Sequence, residues 1–127
     1  VSPAVDEFNR ALARIVDHVS YWTPSTWAAS GASGVPRAEV VHALVQQVAD
    51  LAADAESQPR RGVPRLPSDP ALPDQLRVVL ADLRAAAQAN GAGAENAAAE
   101  NAGAEGTAAE DALRRAVELM GQARQAL

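Results

Sequence analysis

The sequence predicts an all-α protein: a four-helix bundle, with antiparallel neighbours, left-handed packing and long connections. Three observations lead there. Alanine supplies 31 of the 127 residues, and alanine is the best helix former. Aromatic strand formers are almost absent, since Phe8, Tyr21, Trp22 and Trp27 are the only aromatics. Four segments repeat Leu, Val or Ala at alternating spacings of three and four, the signature of one apolar helix face.

The first helix starts at Ser2-Pro3, a hydroxyl N-cap followed by a proline at the first helical position. Val5, Phe8, Leu12, Ile15, Val19 and Trp22 continue the pattern without a break. Thr23-Pro24 ends it, because a residue before proline avoids the α region. The second helix begins near Pro36 and carries Val41, Leu44, Val48, Leu51 and Ala55, widened by Val40, Val45 and Ala52. The third is expected from about Pro73 to Ala89, on Leu72, Leu76, Val79, Leu83 and Ala86, with Leu80 beside them. The fourth opens with a Thr107/Glu110 capping box and shows Leu113, Val117, Met120, Ala123 and Leu127. A pair of helical hairpins that completes its core by dimerising is the alternative architecture.

The connections are longer than the roughly 2–8 residues of simple bundles. The first holds "TPSTW", which predicts one short turn capped by Thr23 and ending near Ala29. The second, "SQPRRGVPRLPSDPALP", is stiffened by five prolines and reads as a crossover laid along the bundle by Val63 and Leu66. The third includes 91–106, expected as a low-complexity Ala/Gly/Glu linker inside a single domain of 1–127. Its Glu95, Glu100 and Glu105, with Glu110 beyond it, recur every five residues. Each such step turns about 140° on a helix, so they share no face.

Composition removes several chemistries. The formal net charge is −5 and no basic face is visible, so a nucleic-acid partner is not expected. No stretch approaches the ~20 apolar residues of a membrane span. There is no cysteine, hence no disulfide, thiolate zinc site or Cys nucleophile. The first ten residues carry acids and no apolar run, so a secretory leader is not expected and the protein reads as soluble and cytoplasmic. All eleven basic residues are arginine, the usage of a GC-rich bacterial genome, and without lysine no phosphate-binding Gly-x-x-x-x-Gly-Lys loop can form.

No catalytic residue, cofactor or metal is expected. "EVVH", Glu39 to His42, has the Glu-x-x-His spacing of di-iron bundles, but there is one copy where two are needed. Glu39 points about 170° and His42 about 130° from the centre of the apolar stripe, so a solvated face is expected for both. His18 lies on the flank of its stripe, and its neighbour Asp17 points about 100° away. No Gly-x-Ser-x-Gly elbow exists. A DinB-like bundle would need a third histidine, a ferritin-like one more ligands, and a Trp-x-Gly hairpin a different spacing after Trp27.

What remains are candidate partner-binding residues. Trp, Tyr and Arg dominate interface energies. Tyr21 lies about 155° off the stripe and should be exposed. Trp22 continues the stripe and is expected inside the end of the core, with Trp27 as a lid over it or as a contact. Arg60, Arg61 and Arg65 form a local basic cluster in the crossover. The expected function is a non-catalytic interaction or regulatory partner of another protein. Behind it stand a small apolar-ligand pocket near the tryptophans and a divergent enzyme or enzyme subunit.

Overall fold

A computed structural model describes residues 3–98 and 108–127 of the chain. It is all-α. Five α-helices occur among the described residues: α1 (Pro3–Val19), α2 (Pro24–Ala28), α3 (Arg37–Ala55), α4 (Leu72–Ala98) and α5 (Ala108–Ala126), with a 3-10 turn at Asp69–Ala71 before α4. The only bridge among the described residues is an isolated one between Ser30 and Pro36. No described helix is long and apolar enough to cross a membrane. Ser2 and Thr107, expected as caps, lie outside the described residues, as does 99–106 of the expected linker. The first part of that linker is helical, because α4 runs to Ala98 and not to Ala89. Alanine's helix propensity extends the helix where no larger apolar residue is available to pack it.

One main core joins the four long helices. Phe8, Ile15 and Val16 of α1 meet Leu44, Val45 and Val48 of α3, Leu76, Leu80 and Leu83 of α4, and Leu113, Leu119 and Met120 of α5. Among the described residues no polar or charged residue is buried. Many of the remaining core positions are alanine, so the helices approach closely and bury little area per residue.

A second, smaller cluster closes one end. Val19 at the end of α1, Trp27 of α2, Ala38 and Val41 at the start of α3, and Leu72 at the start of α4 are all buried there, and Leu127 packs against them. Helices α1 and α5 therefore end where α3 and α4 begin. An Arg84–Asn9 hydrogen bond, twelve residues after the start of α4 and ten before the end of α1, agrees with this. So α3 and α4 run parallel, and the expectation of antiparallel neighbours fails at that one step. The reason is the length of the connection. At about 28 Å, α3 is shorter than the roughly 34 Å that eleven extended residues reach, so 58–68 can return along the whole helix.

The reversal that starts this return is a Schellman motif. Ser57 N–H donates to the Asp54 carbonyl at 3.1 Å and Gln58 N–H to the Ala53 carbonyl at 2.8 Å. Ser57 occupies the left-handed position, with φ 56°, where glycine is usual. A left-handed non-glycine residue costs about 1–2 kcal/mol. Glycine would relieve that cost and lose about 0.5–1 kcal/mol of its own to chain entropy. Ser57→Gly is therefore expected to stabilise by about 0.5–1 kcal/mol, measured by urea unfolding; a loss of stability would show that the turn is held by the Ser57 side chain instead.

Candidate functional site

Two surfaces hold the residues that the sequence singles out: the aromatic end and the crossover.

The aromatic end is built by α2. Thr23 caps it in extended conformation, its hydroxyl accepting from the Thr26 N–H, and Pro24 takes the first position. This places Trp27 inward, 1 % exposed. Trp22 is half-buried outside it, edge-on at 4.9 Å between ring centroids. The expected roles are thus exchanged: Trp27 is the core residue and Trp22 covers it. Helix α1 stops at Val19, so the helical phase that put Trp22 in the core no longer applies three residues later. Buried in this way, Trp27 has no face to offer a partner. His18 meets Trp22 edge-on at 5.4 Å. Tyr21 is 89 % exposed, as expected, although it lies in the turn beyond α1 and not on the helix.

Arg37, which sequence reasoning passed over, ties this end together. Its guanidinium lies 5.8 Å from the Trp22 ring centre, in range of a cation–π contact. Its Nε donates to the Leu127 carbonyl at 3.2 Å and another guanidinium nitrogen to the Thr26 carbonyl at 3.3 Å. Ser33 N–H donates to the Ala126 carbonyl at 3.2 Å. A cation and an N–H are favourable at a helix C-terminus, where carbonyls lack partners. Gly31 is required nearby, because a Cβ there would collide with the Ala126 and Leu127 carbonyls.

The crossover is an antiparallel strap along the back of α3. Arg60 pairs with Asp54 through two bonds, of 3.0 and 2.7 Å. Gln46 grips the strap twice: its Nε2 donates to the Arg61 carbonyl at 3.0 Å, and its Oε1 accepts from the Val63 N–H at 2.7 Å. His42 Nε2 donates to the Val63 carbonyl at 3.2 Å. Arg65 reaches Glu39 at 3.3 Å and Asp69 at 2.7 Å. From α4, Gln75 Nε2 donates to the Pro64 carbonyl at 3.2 Å.

These bonds change the reading of three predicted residues. His42 is not solvated but half-buried under the strap, because the polar back of α3 faces chain and not only water. Arg60 and Arg65 already hold carboxylates. The hydrogen bond from Arg60 lowers the Asp54 carboxyl below its usual range, and the same bond raises Arg60. The bond to Asp69 raises Arg65. Of the three arginines, Arg61 alone makes no ion pair among the described residues. Gln46 and Gln75 were missed, although Glu39, His42 and Gln46 share one stripe at spacings of three and four. The residues of "EVVH" are thus engaged with the strap, and no group of three or more His, Asp or Glu able to hold a metal occurs among the described residues.

The strap also forms the wall of two openings. A cavity of about 400 Å³ lies between the strap at Gly62, Val63 and Pro64 and the helix residues Ala49, Ala52, Ala53 and Val79. Beside it, Val63, Leu66, Ala71, Val78 and Val79 line an apolar groove of about 340 Å³. Leu66 and Val78, on opposite walls, are exposed, Val78 by 59 %. Gln75 borders the groove, and its Oε1 is buried without a hydrogen-bond partner. No protein-family model, curated protein or solved structure matches this chain.

The two tryptophans differ most in what their removal should do. Trp27→Ala is expected to destabilise by about 3–5 kcal/mol, the range for an aromatic removed from a core. Trp22→Ala should cost less, and Tyr21→Ala under about 0.5 kcal/mol, as at other exposed positions. Urea unfolding of the three variants checks this; a Trp22 effect above that of Trp27 would reverse the assignment.

Proposed function

We propose that this chain is a non-catalytic protein-interaction module, a four-helix bundle with left-handed packing that recognises a protein partner on its strap face. One observation carries the reading: the groove between strap and α4, with Leu66 and Val78 exposed on its two walls. Exposed apolar side chains lining a concave surface suit the apolar anchors of a partner, which supply most of an interface's energy. Tyr21 and Arg61 are the predicted contact residues that remain exposed and uncommitted. The groups whose pKa is shifted belong to arginine–carboxylate pairs on the surface, the setting of structural ion pairs.

Binding of a small apolar ligand is the second reading. Its support is the 400 Å³ cavity under the strap, within the usual size range of ligand sites, although Glu56, Arg61 and Asp82 line it together with the alanines and valines. The tryptophans pack edge to face against each other instead.

Val78→Lys tests the first reading. The new ammonium would stand one turn from both Asp74 and Asp82, so helix stability should change by less than about 0.5 kcal/mol. Affinity capture from the source organism is expected to retain a protein on the wild type that is lost on Val78→Lys, with the melting temperature nearly unchanged. Identical capture by both proteins would overturn the groove as the contact surface.

A further inference from the structure

The strap is fastened differently from everything beneath it. No residue of 58–68 is buried, and only Val63 packs against the core, half-exposed. Its attachments are polar: the two bonds of Gln46, and one each from His42 and Gln75, all made to strap backbone, together with the pairs of Arg60 and Arg65. Below it, Ala49, Ala52 and Ala53 are too short to fill the space, which leaves the 400 Å³ cavity. Few apolar contacts and solvent-facing bonds mark a segment that opens at lower free energy than the core. Its two ends are fixed, by the Schellman turn at Ser57 and by the 3-10 turn at Asp69–Ala71. Prolines at 59, 64 and 67 stiffen the span between them.

We infer that 58–68 is a latch that opens as one unit while the helices stay folded, and that Gln46 is its catch. Gln46 holds carbonyl and N–H groups two residues apart at the middle of the strap, so losing it frees both together. Opening removes Val63 and Leu66 from one wall of the apolar groove and uncovers Ala49, Ala53 and Val79. The latch rests on these bonds and not on what occupies the groove.

Trypsin reads the open state directly, because Arg60, Arg61 and Arg65 lie on the strap. When closing is faster than cleavage, the cutting rate follows the open population. Gln46→Ala in the full chain is expected to raise cleavage after Arg61 and Arg65 about tenfold. Cleavage after Arg14 and Arg84, within helices, should not rise, and the melting temperature should fall little. Parallel increases at strap and helix sites would overturn the latch, as would an unchanged strap rate. The wild-type protein gives a second reading through hydrogen exchange. The Val63 amide should exchange at a rate insensitive to low urea, since local opening exposes little surface. The Leu44 and Leu80 amides should accelerate with urea. If all three respond alike, the strap opens only with global unfolding and the inference fails.

Discussion

The arrangement depends on the return of the chain along the back of α3. A helix of this length can be followed by a parallel neighbour only if the connection spans it again, and parallel neighbours need long crossovers for that reason. Four prolines between α3 and α4, three of them in 58–68, favour an extended chain with few backbone N–H groups of its own to satisfy. Four of the strap's remaining backbone groups find side-chain partners: the Arg61 carbonyl and the Val63 N–H on Gln46, the Val63 carbonyl on His42 and the Pro64 carbonyl on Gln75. Chain length makes the parallel pair feasible, and the side chains of α3 and α4 hold the return in one register.

That single choice of direction brings unlike helix ends together. The C-termini of α1 and α5 meet the N-termini of α3 and α4 around Trp27. Arg37 shows the consequence. A cation in the first turn of α3 would be unfavourable toward its own helix. Because α5 ends beside it, the guanidinium instead satisfies the Leu127 carbonyl and covers Trp22. The large aromatic Trp27 then fills the end of a core that elsewhere relies on Ala, Val and Leu.

The spacing of apolar residues made the helices themselves legible. Phe8, Ile15 and Val19, Val41, Leu44 and Val48, Leu72, Leu76 and Leu83, and Leu113 and Met120 are buried where the stripes put them. Helical phase was less informative at the ends. Trp22 was assigned by extending α1 beyond Val19, and Trp27 sits on a helix of five residues, too short to define a face. Tyr21 was legible because neither a longer helix nor a loop would bury it. The direction of α4 was not, since a polar face reads alike whether water or another segment covers it. Glu39, His42 and Gln46 stand on such a face, and only the position of the strap distinguishes a solvated stripe from a row of fasteners.

This ambiguity follows from how the two kinds of contact carry information. An apolar residue on a helix has one good outcome, burial, so its position points inward. A polar residue has two nearly equal ones, because a hydrogen bond to the chain replaces one to water with a small net gain. The strap is built from the second kind. Its net hold is the sum of several modest terms, none backed by a buried side chain. The surface beneath is Ala-rich and leaves a cavity under the strap, so it contributes little that would pull the strap down. Sequence features that hide the crossover from an apolar-pattern reading are therefore the same ones that make it the most easily detached part of the described fold.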